Sequence, residues 1–178
     1  MNTSLHHIPV LVKEALYYLN VNPGHIYIDG TIGQGGHTKQ ILSHLSPIGK
    51  VIGIDRDSEA IEMCTKKFPI TSSKVSLHHN SYHNLPEILL AEQITSVSGI
   101  LLDLGLSSNQ LEEKNRGFSF SNDSILDMRF NKCEGIPFYQ FLKNLSLKEI
   151  ETILKEFGEE RFSRKIAYNI FKANKIKT

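Results

Sequence analysis

The sequence predicts an α/β protein built on a parallel sheet, followed by a shorter all-helical segment. Three observations carry this. Four short β-rich runs alternate with helical patterns up to position 104, a glycine-dense turn follows the first run, and beyond residue 138 only helical periodicity remains. The 178 residues, 40% of them hydrophobic, suffice for one domain or one domain plus part of another. Charged residues at 22% and a net charge of +1 exclude a disordered polyelectrolyte. The only cysteines, Cys64 and Cys133, form no C-x-x-C pair. That points to a reducing compartment and away from a thiolate metal site, and no metal is expected. No Lys or Arg precedes Lys13, the apolar run Ile8–Val12 is short, and Gly99–Leu106 is broken by Asp103. These features match neither a secretory leader nor a membrane span, so the expectation is a cytoplasmic chain with no membrane partner.

The elements follow in order. Residues 9–19 place Val10, Ala15, Leu16 and Leu19 at helical spacing, with Pro9 suited to a first turn. After the turn signal Pro23-Gly24, the run 25–29 reads as a strand ending in Asp29. The glycine-dense stretch 30–37 leads into a helix from Thr38 to Leu45. Residues 50–55 form a second strand ending in Asp55, and Asp57 or Ser58 can cap the helix that contains Ala60, Ile61 and Cys64. A third strand is expected at 74–78 and a helix at 85–92, with Pro86 in its first turn. The run 97–104, with Asp103 near its end, is the most strand-like and apolar enough for a central strand. Residues 107–135 are polar and loop-like, and 138–174 are helical.

Charge is distributed unevenly. Residues 1–110 carry seven basic and nine acidic side chains, whereas 111–178 carry thirteen and ten. From Arg161 to Thr178 there are six basic residues and no acidic one, which fits either a solvated helix face or a polyanionic partner.

The chemistry concentrates at Asp29-Gly30-Thr31-Ile32-Gly33-Gln34-Gly35-Gly36-His37. In an open parallel sheet, ligands bind outside the carboxyl ends of the strands. Glycines there let the backbone turn and approach a ligand closely. Asp55, twenty residues beyond Gly35, is placed to accept hydrogen bonds from both ribose hydroxyls of an adenosine-containing cofactor. The dinucleotide fingerprint fails because its third glycine position holds Thr38, and the Walker pattern is absent. Asp29 ahead of the glycines repels phosphate and suits a cofactor with a cationic end. That favours S-adenosylmethionine, with NAD second.

These residues also resemble a known family, the bacterial small-subunit ribosomal RNA cytosine-N4 methyltransferases of the RsmH (MraW) type. The matching runs are His7-Ile8-Pro9-Val10-Leu11 with Glu14, Asp29–Thr31 through Gly35–His37, and Gly53–Asp57. They continue with Asp103–Ser108 plus Gln110 and Leu111, Arg116–Phe120, Leu126–Arg129, and Gly158–Glu160 with Arg164–Ala167. They keep the family order over nearly the whole chain. The resemblance implies a class I Rossmann-like methyltransferase domain, residues 1–110, then the start of a helical substrate-recognition domain, residues 111–178. It further implies that Gly35, Gly36 and His37 contact S-adenosylmethionine and that Asp55 holds its ribose. Tyr82, where the family typically has Phe, would stack on the adenine, and Asp103 and Gln110 complete the cofactor set.

The implied reaction is methyl transfer from a sulfonium to the N4 amine of a cytosine in 16S ribosomal RNA, with the small ribosomal subunit as partner. That amine is a poor nucleophile, and an acceptor for its proton helps to activate it. Asp103 is the expected catalytic acceptor. Ser107 and Ser108 fit better as helix caps, and His37 fits better as a cofactor contact or packing element than as a base. Phe118 and Phe120 beside Arg116 either stack on an extruded base or pin the loop together with an Arg–Asp pair. The basic end of the helical segment is the expected RNA-facing element. Two other readings remain open: an NAD(P)-binding oxidoreductase, and a non-catalytic remnant that binds cofactor or RNA. Family members are roughly three hundred residues long and return to the sheet after the helical part. The expectation is therefore a C-terminally truncated sheet, low activity of the chain alone, and self-association through its uncovered apolar edge.

Overall fold

The computed structural model describes residues 9–69, 74–121 and 123–173. Expectations that involve His7, Ile8, Lys175 and Lys177 lie outside those residues. The chain divides into two compact units, Met1–Gly105 and Leu106–Thr178.

In the first unit, β1 (Ile26–Asp29), β2 (Lys50–Asp55), β3 (Val75–His79) and β4 (Gly99–Leu101) form one parallel sheet in the order β3-β2-β1-β4. Successive side chains of a strand point to opposite faces, so two separate cores follow from two central strands. Tyr27 and Val51 face one side, where Ile41 of α2 (Gly36–His44), Leu45, and Leu16 and Leu19 of α1 (Val12–Leu19) cover them. Ile28, Ile52 and Ile54 face the other, covered by Ile88, Leu85 and Leu89 of α4 (Leu85–Ala91). Burying a side chain of this size contributes roughly 1.5–3 kcal/mol. Asp57 caps α3 (Ser58–Lys67) by accepting the Glu59 N–H at 3.1 Å. Strand order and crossovers are those of a Rossmann-like methyltransferase half-sheet.

Two expectations are corrected here. The first helix starts at Val12 rather than Pro9, because Leu11 takes a left-handed φ of 52° that no α-helix continues through. Pro9 instead packs against Gly36, where a Cβ would stand 2.5 Å from its ring. The strand-like run 97–104 contributes only Gly99–Leu101, and among the described residues β4 pairs with β1 alone, at the sheet edge. The Leu101 carbonyl still accepts from Gly30 N–H at 2.9 Å; beyond it the ladder ends, and Asp103 N–H donates to the Thr31 side chain, Oγ1, at 2.7 Å. Ile100 is 49% exposed, and Leu102 and Leu104 are exposed as well.

The second unit contains α5 (Ser108–Glu112), α6 (Phe138–Lys143), α7 (Leu147–Glu156) and α8 (Ser163–Ala173). Ser107 and Ser146 each close a capping box, with Gln110 and Glu149 respectively, so both helix starts have their first N–H groups satisfied by side chains. The segment between α5 and α6 wraps around Arg116, which is 1% exposed and donates to the Phe130 carbonyl at 3.1 Å. Gly117, at φ 73°, leaves no room for a side chain: a Cβ would lie 2.7 Å from the Ile125 carbonyl oxygen. Among the described residues no helix is long and apolar enough to cross a membrane.

Candidate cofactor site at the carboxyl ends of the strands

Parallel pairing brings Asp29, Asp55 and the segment after β4 to the same edge of the sheet. The glycine-rich segment 30–36 crosses that edge and is tied to Asp55. Gly33 N–H donates to Asp55 Oδ2 at 2.8 Å, and Asp57 N–H donates to Oδ1 at 2.9 Å. Each oxygen keeps lone-pair capacity for a further donor. Burial pushes the Asp55 carboxyl above its ordinary pKa, against the pull of these two N–H groups.

The glycines have different reasons to be glycine. A Cβ on Gly35 would lie 2.5 Å from the Phe68 ring, and one on Gly36 would meet Pro9, so close packing from within excludes side chains at both. At Gly33, φ is 51° and the nearest atom to a Cβ is 3.9 Å away, which leaves that face of the backbone open. Cys64 lies beneath the loop, its thiol donating to the Gly33 carbonyl at 3.2 Å. Burial pushes that thiol up to about 12, so it stays protonated and acts as a packing group.

Asp29 is 1% exposed. Its Oδ2 accepts from Thr38 Oγ1 at 2.7 Å, while its Oδ1 is buried with no hydrogen-bond partner among the described residues. Burial raises its pKa. A cation held nearby would favour its ionised form, so the donor set fits a positively charged ligand and opposes a phosphate. Thr38, which spoils the dinucleotide fingerprint, thus orients this acid. A hydroxyl in the first turn of the helix after an acid-glycine turn is the signal that identifies it. The ties made by Thr31, Gly33 and Cys64 run to residues far away in the chain, which no local pattern reveals.

His37 places Nε2 2.9 Å from the Val10 carbonyl, which only accepts, so Nε2 carries the proton. Its Nδ1 faces Asp103 Oδ2 at 3.8 Å. The Asp103 side chain is half exposed, with its own N–H held by Thr31. Tyr82 opens the short 3-10 turn Tyr82–Asn84 after β3 and lies beside Gly30 with its ring accessible. Gly35, Gly36, His37, Asp55, Tyr82 and Asp103 therefore belong to one unit. Gln110 belongs to the other, buried in the α5 capping box, where its Oε1 accepts from Ser107 N–H at 3.0 Å. Of the loop aromatics, Phe118 packs on Phe130 with ring centroids 5.6 Å apart, and Phe120 is fully exposed. Asp127 grips Arg129 through both carboxylate oxygens, at 2.7 and 2.8 Å.

Residues 4–178 match the model of the MraW methylase family. The chain belongs to that family. It is 46% identical over 176 residues to ribosomal RNA small subunit methyltransferase H of Buchnera aphidicola subsp. Cinara cedri, an alignment covering 97% of this chain and 55% of that protein. It is 44% identical over 171 residues to the protein of the same name from Caldicellulosiruptor saccharolyticus, covering 96% and 55%. The corresponding values for the Pseudoalteromonas atlantica protein are 42% over 174 residues, 97% and 55%. The chain thus spans about half the length of the curated relatives it matches. Membership of the MraW methylase family implies a methyl donor, and the acids at the ends of β1 and β2 are the groups suited to hold a cationic one.

Proposed function

We propose that this chain carries a cofactor-binding part and a helical substrate-recognition part of an S-adenosylmethionine-dependent methyltransferase. Its substrate is the N4 amine of a cytosine in 16S ribosomal RNA, its partner the small ribosomal subunit, and its place the cytoplasm. The observation that carries the reading is the pair of strand-end acids, Asp29 with one buried oxygen unpartnered among the described residues and Asp55 tied to Gly33, on a chain of the MraW methylase family.

S-adenosylmethionine, when bound, supplies a methyl group on a sulfonium, open to in-line displacement. Asp55 accepts from the ribose hydroxyls with the lone pairs its backbone donors leave free. Tyr82 offers a ring face to the adenine. Asp29 supplies the negative field that a sulfonium and an ammonium require. The backbone at Gly35 and Gly36 and the His37 ring complete the proposed cofactor contacts of this unit. Asp103, half exposed beside His37, would accept a proton from the N4 amine that takes the methyl group.

Titration calorimetry tests the reading. Binding of S-adenosylmethionine or its demethylated product, with none of NAD, is the expected result, and the reverse pattern overturns it. The exposed Ile100, Leu102 and Leu104 support self-association of this chain, measurable as a concentration-dependent sedimentation coefficient.

A further inference from the structure

Helix α8 buries a narrow side: Ser163 and Ala167 are buried, and Ile166 and Ile170 are half-buried. At 100° per residue, an arc of about 120° beside and away from that side carries Phe171, Arg164, Tyr168, Lys172 and Lys165 in turn, every one of them exposed. Tyr168 is 54% and Phe171 52% accessible. Immediately before the helix, the Arg161 guanidinium lies over the exposed Phe162 ring, 4.6 Å from its centroid. No Asp or Glu occurs from Arg161 to Ala173.

Cations alone would suit a solvated helix face, but a solvated face has no need of two half-bare aromatic rings set among them. Alternating cations and rings are what a single nucleic-acid strand rewards, with phosphates on the cations and unpaired bases on the ring faces. A lipid surface fits less well. A helix lying on a bilayer needs its apolar side free, and α8 turns that side against α7.

We propose that the outer face of α8 is a binding surface for single-stranded RNA, in which Arg164, Lys165 and Lys172 contact phosphates and Tyr168 and Phe171 stack on bases. The inference rests on ribosomal RNA being the substrate and names the surface that holds it.

The test uses the full chain and a fluorescently labelled single-stranded oligoribonucleotide of mixed sequence, followed by anisotropy over a salt series. Replacing three phosphate-binding cations by Gln (Arg164→Gln, Lys165→Gln and Lys172→Gln together) is expected to weaken binding at least thirtyfold in low salt. It should also lower the slope of log affinity against log salt by about 2, since each contact to a single strand contributes about 0.7. Tyr168→Leu with Phe171→Leu keeps apolar bulk while removing the ring faces. At least a tenfold loss with an unchanged salt slope is expected there, in line with about 1–3 kcal/mol per stacked base. Lys13→Gln, Lys66→Gln and Lys148→Gln together remove the same charge elsewhere and should change affinity less than twofold. An equal loss in that control, wild-type affinity in the ring variant, or preference for phosphatidylglycerol vesicles over RNA overturns the proposal. Unchanged affinity in both α8 variants overturns this surface alone and leaves the RNA substrate standing, whereas absence of RNA binding by the wild-type chain overturns both.

Discussion

In the sheet unit, Tyr27, Ile28, Val51, Ile52 and Ile54 are fully buried between two helical layers, whereas the described part of the helical unit buries only Ile150 and Ala167 as apolar side chains. That second unit buries Arg116, Gln110, Asn131 and Ser163 instead. Hydrocarbon burial is non-directional, and it suffices where parallel strands pack helices on both faces. A segment that wraps as a loop has too little apolar surface for that. It is held by directional groups: Arg116 on the Phe130 carbonyl, Asp127 on Arg129, and two capping boxes. The sheet unit should therefore be sensitive to lost volume, and the helical unit to lost donors and acceptors.

The largest effect should come from Ile52→Ala, which opens a cavity between β2 and α4. A loss of about 2–5 kcal/mol in urea denaturation is expected. A loss below 1 kcal/mol would mean that the apolar core of the sheet unit matters less than its burial suggests. Next comes Arg116→Met, which keeps much of the buried volume but removes the donors that organise residues 116–130. Charged hydrogen bonds of this kind contribute roughly 1.5–3 kcal/mol, and a comparable loss should appear as increased amide exchange through the 126–131 segment. Wild-type exchange there would remove the distinction between the two units.

Asp55 tests the polar edge of the apolar unit. Asp55→Ala should weaken S-adenosylmethionine binding at least tenfold. The ties to Gly33 and Asp57 add a cost that strand-end position alone does not suggest, because both N–H groups lose their acceptor. Asp55→Asn keeps one acceptor oxygen and should fall between the wild type and Ala. The carboxylate is the form that accepts from ribose, and burial raises its pKa. Affinity should thus be full near neutrality and decline on acidification before an ordinary aspartate would protonate. Calorimetry at pH 7, 6 and 5 measures this, and a flat profile would place the ribose elsewhere. The smallest effect is expected from Ser146→Ala, which opens one capping box at the start of α7 and should cost about 1 kcal/mol in the same denaturation assay.

Much of this arrangement is legible in the sequence. The alternation of β-rich and helical runs, the acids that end two strands, the cap at Asp57 and the serine cap before α5 all follow from local rules that operate within a few residues. The same rules misplace the start of α1, because the left-handed turn at Leu11 accompanies packing of Pro9 against Gly36, residues far apart in the chain. They also read 97–104 as a single strand, although pairing to β1 and the tie from Asp103 to Thr31 limit it to three residues.

Sequence by itself determined the fold class and the glycine turn flanked by acids, since period, turn chemistry and spacing are written along the chain. Only the tertiary structure decided the strand order, the edge position of β4, and the reason that Gly35 and Gly36 exclude side chains. It also decided that Asp29 Oδ1 has no partner among the described residues and that Arg116 is buried. Each of these depends on which distant segment arrives alongside, and a hydrogen bond or a close contact has no meaning until both of its partners are in place.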